Sequence, residues 1–460
     1  MIQLMKHQNR AVEIARSKNR FGYFFDCGTG KTATMLAVCN ERGGRTVVAC
    51  PKAIIDNAWL KDAKHFPLLK VVSGRASRPS ERKRIIADKT WDVLVINYEL
   101  LVKYTEEIVA AGVHRLVFDE SSALKQYNSQ RTKACVLLAA QMEECYCLSG
   151  TPAPNGEHEY WAQLRCINPS KVPINYWRFC NQYMMPHKRT INGREVTTGW
   201  TLIESRRKAF EELLAECSWA LRKEDCVDLP ERTDEYRTVE LTLDELQAYV
   251  TMKHALTAAT LEGSIDATTQ ARFMKLRQLT GGWAYGKERS VLTTGQSKLG
   301  ELTNVLEEIG NHPVVIWAEF THDINRISGA LGTACRVIDG STADEDRRVY
   351  LDGFGERFQY LICHPRCVGH GITLVQASYA VYYSIGYSYE LYHQSRDRIH
   401  RVGQKRACTY IHLIAADTCD MRVLKVLQAK GSAHEAMMAV LSTGGATDGR
   451  KKQEPASSRN

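Results

Sequence analysis

Five residues, Phe21-Gly22-Tyr23-Phe24-Phe25, read as a short buried strand and run into Asp26-Cys27-Gly28-Thr29-Gly30-Lys31-Thr32, with a helical pattern over residues 32–41. A strand that turns through glycine straight into a helix must come back over its sheet before a parallel neighbour can be added. That is the repeating unit of α/β folds. Gly28 and Gly30 can take positive φ, so the N–H groups from Gly28 through Thr29 and Gly30 can close around phosphate oxygens. The helix N-terminus adds partial positive charge. Lys31 is then set to reach the β- and γ-phosphates of a nucleotide, and the Thr32 hydroxyl to hold Mg²⁺. The full phosphate-loop pattern asks for a glycine where Phe25 stands. A plain glycine turn is the alternative, and the flanking strand and helix weigh against it.

Alternation continues on both sides of this turn. Residues 5–18 carry apolar side chains at helical spacing, and 46–50, 93–97, 115–118 and 145–148 are strand-like apolar runs. A second series follows at 314–317, 336–338, 360–363, 380–384 and 410–413, after a mostly helical stretch over 242–310 with helices at 243–261 and 299–309. The fold class predicted is α/β with two parallel sheets, each covered on both faces. Residues 156–235, rich in Trp, Tyr, Arg and Asn, read as a helical insertion between them, with a long charged helix over 202–221. The divisions expected are 1–155, 156–235 and 236–441, with a short helical C-terminal segment and then a disordered basic tail over 442–460.

Composition supports this. The chain has 460 residues, about three times the modal domain length, so two or three domains are expected. No uninterrupted apolar run reaches the roughly 18 residues of a membrane span, and the first residues lack a secretory apolar core. Lys and Arg number 61 against 52 Asp and Glu, a net charge of +9 that favours an anionic partner. Fifteen cysteines, an odd number with no C-x-x-C pair, fit reduced buried thiols better than disulfides. A cytoplasmic location is expected.

Two further constellations carry chemistry. Leu116-Val117-Phe118-Asp119-Glu120 ends an apolar strand in paired acids. Across a parallel sheet from a phosphate loop, Asp119 is placed to hold Mg²⁺ and Glu120 to deprotonate an attacking water. A helix N-cap is the ordinary alternative for such a pair. Far along the chain, Arg398 and Arg401 lie one helical turn apart, with Gln394 four residues before the first. Guanidinium groups supplied by a second domain can stabilise charge on a γ-phosphoryl group; a solvated basic helix is the rival. Cys363-His364-Pro365-Arg366-Cys367 with His370 has the density of a zinc site, but no second ligand pair accompanies it. Trp161, Tyr176, Trp177, Phe179 and Tyr183 beside Arg165, Arg178 and Lys188 suit either a nucleic-acid surface or the core of the insertion.

In order, these motifs resemble the Swi/Snf-type ATPases of helicase superfamily two, over roughly residues 4–415. Leu4…His7-Gln8 resembles the glutamine motif. Val47-Val48-Ala49-Cys50-Pro51-Lys52 with Trp59, and Ile96-Asn97-Tyr98-Glu99-Leu100-Leu101, resemble motifs Ia and Ib. Asp119-Glu120-Ser121-Ser122 stands at the Asp-Glu-Ala-His box, and Leu148-Ser149-Gly150-Thr151-Pro152 with Asn155 is similar to motif III. Leu221-Arg222-Lys223-Glu224-Asp225 with Leu229-Pro230 resembles the lobe connection. Ser297-Lys298-Leu299, Val315-Ile316-Trp317-Ala318-Glu319-Phe320 and Asp339-Gly340-Ser341 with Arg347 recur in family order. Gly369-His370-Gly371-Ile372-Thr373-Leu374 with Ala377 is similar to motif V. Gln394…Asp397-Arg398-Ile399-His400-Arg401-Val402-Gly403-Gln404 is similar to motif VI, the most diagnostic string.

The resemblance implies two RecA-like lobes and ATP hydrolysis with Mg²⁺, stimulated by DNA and coupled to tracking along the duplex. Gln8 would read adenine, and Lys31, Thr32, Asp119, Glu120, Gln394, Arg398 and Arg401 would serve the hydrolytic site. Lys52, Asn97, Tyr98, Lys125, Thr321 and Arg366 are the candidates for DNA phosphate contacts, which would be salt-dependent and largely sequence-independent. A monomer of bacterial or viral origin is expected. Two alternatives stand beside this: a strand-separating or branch-migrating helicase, and a DNA-binding scaffold without turnover. Three positions depart from the family: Ser122 replaces the box histidine, Thr373 an asparagine, and Phe25 is unusual before the loop.

Overall fold

The computed structural model describes residues 3–191, 194–261, 267–286, 288, 290–368 and 372–444. Gly369, His370 and Gly371 of the motif V string, and most of the tail expected over 442–460, lie outside the described residues.

The first sheet contains β1 (Arg20–Phe25), β2 (Thr46–Cys50), β3 (Val71–Ser73), β4 (Val93–Asn97), β5 (Arg115–Asp119) and β6 (Glu144–Leu148). An antiparallel hairpin, β7 (Met184–Ile191) and β8 (Arg194–Leu202), stands apart, and β9 (Ser218–Leu221) returns to the sheet. The order is β3-β4-β2-β5-β6-β1-β9 with every pair parallel. Successive side chains on a strand point to opposite faces. Phe24, Val47 and Ala49 therefore enter one core, while Phe25, Val48 and Cys50 enter the other. Both faces are covered, as the uninterrupted apolar runs require.

The second sheet takes β10 (Arg232–Val239), and a small antiparallel pair follows, β11 (Trp283–Tyr285) with β12 (Val291–Thr293). Then come β13 (Val314–Trp317), β14 (Cys335–Ile338), β15 (Tyr360–Cys363), β16 (Tyr379–Tyr382) and β17 (Cys408–Ala415). Its order is β10-β17-β16-β13-β15-β14, again all parallel. The α/β class with two parallel sheets is what the chain adopts. Among the described residues, no helix is long and apolar enough to cross a membrane.

The region between the sheets differs from the expectation in two ways, and it decides between the two readings of its aromatics. The helix expected over 202–221 occupies only Arg207–Cys217, because Ser218-Trp219-Ala220-Leu221 is buried as β9 beside β1. The insertion is not purely helical, since it carries the β7–β8 hairpin. Its aromatics are largely core: Trp161, Tyr176, Phe179 and Tyr183 are buried and only Trp177 is exposed. Tyr176 stacks on Tyr127 with ring centroids 3.8 Å apart.

The C-terminal segment is a 26-residue helix, Cys419–Gly444, rather than a short one. At 1.5 Å per residue it extends about 39 Å. Val423, Leu424 and Leu427 pack into the second lobe's core, while Met437, Met438 and Leu441 pack into the first lobe's. One helix is thereby anchored in both lobes.

Candidate active site

The turn after β1 has the geometry its glycines permit. Gly28 and Gly30 have φ of +84° and +82°, where a side chain would be strained. A second constraint holds Gly30: a Cβ there would lie 2.1 Å from the Gln8 Nε2. Gln8 is buried, donates to the Gly30 carbonyl at 3.3 Å and accepts from the Met5 N–H at 2.8 Å. His7 donates to the Thr29 carbonyl at 2.8 Å, so two neighbouring side chains of helix Lys6–Ser17 fix the loop from one side. Gly150 of the motif III string lies against it from another, where a Cβ would stand 3.2 Å from Cys27 Sγ.

Lys31 donates to the Phe25 carbonyl at 2.8 Å and the Asp26 carbonyl at 3.3 Å, so its ammonium is folded onto the loop's own backbone. Burial pulls its pKa down, but Cys27, Glu120, Asp119 and Asp26 outweigh this and raise it. Its charge is therefore retained, as a phosphate ligand needs. Burial lifts the Cys27 thiol to about 12, which keeps it protonated beside the loop.

Asp119 ends β5 and is 3% exposed. One carboxylate oxygen accepts from the Trp59 indole at 2.8 Å and the other from the Glu120 N–H at 2.9 Å. Burial first, and the like charge of Glu120 second, lift Asp119 to about 6 against the pull of Lys31. Glu120 has φ 50° and ψ 55°, a left-handed conformation rare for a residue with a side chain. Its Oε2 is enclosed without a hydrogen-bond partner among the described residues. Strained backbone and an unsatisfied buried oxygen both mark functional positions. An oxygen-ligated divalent cation fits here, because the two carboxylates crowd each other and the pull of Lys31 does not offset burial and the like charge at Asp119.

The second lobe brings its arginines to this loop. Arg401 is the nearest neighbour of the space beside Gly28, with its Cβ 3.7 Å and its Nε 3.9 Å from a Cβ built there. Arg398 and Arg401 each donate to the Ile372 carbonyl at 3.2 Å, which aligns the two guanidinium groups. Burial and the neighbouring Arg398 lower the Arg401 pKa, the signature of two cations packed together. Gln394 is 1% exposed, and neither its Oε1 nor its Nε2 has a hydrogen-bond partner among the described residues.

Other candidates lie elsewhere. Tyr98 is not available to a nucleic acid: it is 3% exposed, stacks on Phe118 and donates to the Asp119 carbonyl at 2.9 Å. It supports the acidic pair from beneath. Asn97 is half-buried and donates to Glu99 at 2.6 Å. Lys52, Thr321 and Arg366 are exposed. Lys125 ion-pairs with Glu390 at 2.6 Å. Ser122, at the box histidine's position, donates to the other oxygen of Glu390 at 2.7 Å. The substituted position thus links the first lobe directly to helix Tyr389–Arg396 of the second. Cys363 and Cys367 do not gather with His364 into a ligand group among the described residues.

The profile of the SNF2-related domain matches residues 3–280, and that of the helicase conserved C-terminal domain matches residues 297–403. The chain belongs to the SNF2-related family. It is similar to protein p41 of Acyrthosiphon pisum secondary endosymbiont phage 1, at 24% identity over 94% of this chain and 96% of that protein. It is also 24% identical to the SWI/SNF-related matrix-associated actin-dependent regulator of chromatin subfamily A-like protein 1 of Xenopus tropicalis, over 93% of this chain. That match spans 44% of the frog protein, so this chain corresponds to less than half of it. A solved structure of the Sulfolobus solfataricus SWI2/SNF2 ATPase core in complex with dsDNA aligns over 97% of this chain and 95% of its own, at 18% identity and a TM-score of 0.44.

In this SNF2-related chain the lobes are also joined through residues whose pairing was not read from sequence. Lys223, delivered next to the phosphate loop by β9, ion-pairs with buried Asp397 and donates to the His400 carbonyl at 2.9 Å. Its backbone N–H donates to Asp26 at 2.9 Å. Burial pushes the Asp397 carboxyl up, but Lys223, His393 and Arg398 outweigh it and hold the group at about 2. Both partners sit inside quoted motifs, yet they are 174 residues apart and no local signal pairs them.

Proposed function

We propose that this chain is a DNA-stimulated ATPase that hydrolyses ATP to ADP and phosphate and tracks along double-stranded DNA. The observation carrying the proposal is Arg401 of one lobe standing beside Gly28 of the other, whose acidic pair lies at the end of β5, separated from β1 by β6. Arginines on one lobe and a phosphate loop on the other tie hydrolysis to lobe closure, which is how a chemical cycle becomes movement.

The amides of Gly28, Thr29 and Gly30 would cradle the phosphates, and Lys31 would exchange its carbonyl partners for phosphate oxygens. Thr32 and Asp119 would hold Mg²⁺, which supplies charge neutralisation at the phosphate oxygens when bound. Glu120 would take the proton of the attacking water, and Gln394 of the second lobe is left as an unspent donor and acceptor among the described residues. Arg398 and Arg401 would stabilise charge on the transferring phosphoryl group. Gln8, which donates to the Gly30 carbonyl, would read adenine.

The deciding experiment compares ATPase rates without nucleic acid, with single-stranded DNA, with blunt duplex and with RNA, using Glu120→Gln as the dead control. Stimulation by blunt duplex is the expected result. Stimulation by single strands or forks alone would favour a strand-separating helicase, and no turnover with any of them would reduce the chain to a DNA-binding scaffold.

The acidic pair also sets a pH dependence. Asp119 sits at about 6, above its ordinary 3.8, so below about pH 6 it carries the proton that Mg²⁺ must displace. The half-saturating Mg²⁺ concentration should rise about tenfold for each pH unit below that value. Mg²⁺ titrations of the ATPase at pH 5, 6, 7 and 8 check this, and a flat dependence would refute it.

A further inference from the structure

Behind the phosphate loop, three elements distant in sequence converge on one point. Asp26 opens the loop, His393 lies on helix Tyr389–Arg396, and His434 lies on the C-terminal helix that joins the two lobes. One ligand atom from each lies within 4.8 Å of the others, the one such group among the described residues. Asp397 adds a fourth candidate ligand atom, its Oδ2, 3.5 Å from His393 Nδ1.

The polar atoms here are enclosed yet do not satisfy one another. His393 Nδ1, His434 Nε2 and Asp397 Oδ2 are each buried without a hydrogen-bond partner among the described residues. Three such atoms at one spot are unusual, since buried polar groups are nearly always paired. Ring packing accounts for part of the arrangement. His393 and His434 meet edge to face with centroids 5.6 Å apart, and each lies 5.6 Å from Tyr389. Packing explains the rings but not why their nitrogens converge on carboxylates.

We propose that Asp26, His393, His434 and Asp397 form a binding site for a divalent transition-metal ion of the zinc class. Two imidazoles and two carboxylates are a donor set suited to such ions, whereas Mg²⁺ and Ca²⁺ take oxygen alone. Metal–ligand bonds of 2.0–2.2 Å put tetrahedral ligand atoms about 3.3–3.6 Å apart. The His393–Asp397 pair already has that spacing, and the atoms of Asp26, His393 and His434, within 4.8 Å of one another, close on it by about 1 Å of side-chain rotation. Ions have a way in, because Asp26, His393, Asp397 and His434 line a cavity of about 720 Å³.

A bound ion ties the phosphate loop, helix Tyr389–Arg396 just before Arg398 and Arg401, and the C-terminal helix into one unit. If ATP turnover is as proposed above, zinc holds the lobes in this arrangement and slows the DNA-stimulated rate; the binding itself does not rest on that reading.

Cobalt titration of the full chain tests the site, because Co²⁺ in tetrahedral coordination absorbs visible light. One equivalent is expected to bind wild type, with d–d bands, no thiolate charge-transfer band, and displacement by Zn²⁺. His434→Gln and His393→Asn, each checked for folding by circular dichroism, are expected to weaken binding about a hundredfold or more, beyond the 10- to 100-fold cost of losing a supporting contact. Absence of saturable cobalt binding, a thiolate band from the cysteines, or undiminished affinity in both folded variants would overturn the proposal. Zinc inhibition of wild type but not of His434→Gln would add its consequence for turnover. Cobalt binding in a chain with no ATPase would leave the site standing and remove the ATPase reading.

Discussion

Arg401→Ala is expected to lower the DNA-stimulated kcat by about 10³–10⁵, with ATP binding changed by no more than a few fold. The side chain belongs to the second lobe, yet it stands 3.7–3.9 Å from the space beside Gly28. Its guanidinium is therefore near the phosphates only while the lobes are together. In the ground state the loop amides and Lys31 carry most of the phosphate contact, so affinity should survive. In the transition state charge spreads over the γ-phosphoryl oxygens, and a preorganised cation there is worth far more than in water. Alignment by the Ile372 carbonyl at 3.2 Å keeps reorganisation small. Arg401→Lys should recover little, since an ammonium lacks the planar donor fork. Single-turnover hydrolysis with fluorescent-nucleotide binding on the same variants separates the two effects. A kcat loss under tenfold would remove Arg401 from the chemistry.

That geometry rests on elements legible from sequence to very different degrees. The runs at β2, β4 and β13 were bounded to the residue, because four or five consecutive apolar residues between polar ones have few other fates in a chain this long. β9 was not found. Its four residues follow directly on a helix, and periodicity cannot separate so short an apolar run from one more helical turn. Its omission concealed how Lys223 reaches the phosphate loop. Tyr98 was misplaced for a related reason: its position after β4 suggested a groove contact, while the side chain turns inward under Asp119. The residues proposed for hydrolysis could be picked out because motif order carries them. The pairs that join the lobes were not, since Ser122 and Glu390 are 268 residues apart and only the folded chain makes them neighbours.

Glu120→Gln should reduce turnover by about 10²–10⁴ while retaining nucleotide and DNA binding, because the amide keeps the side chain's shape and loses only its capacity to take a proton. The left-handed backbone at φ 50° aims the side chain and is unaltered by the substitution. Its Oε2 has no hydrogen-bond partner among the described residues, so no structural bond is broken by the exchange. The variant carries a second signature that a merely structural role would not produce. Glu120 is the second-largest cause, after burial, of the elevated Asp119 pKa. Removing its charge lets Asp119 fall from about 6 toward its ordinary 3.8, so the pH at which Mg²⁺ affinity begins to weaken should move down with it. Magnesium-dependent nucleotide binding followed across pH 4–8, in wild type and Glu120→Gln, reads that shift without any turnover. A rate loss with an unmoved Mg²⁺ midpoint would mean that the two carboxylates do not share one electrostatic site, and Glu120 would lose its assignment as the base beside the metal.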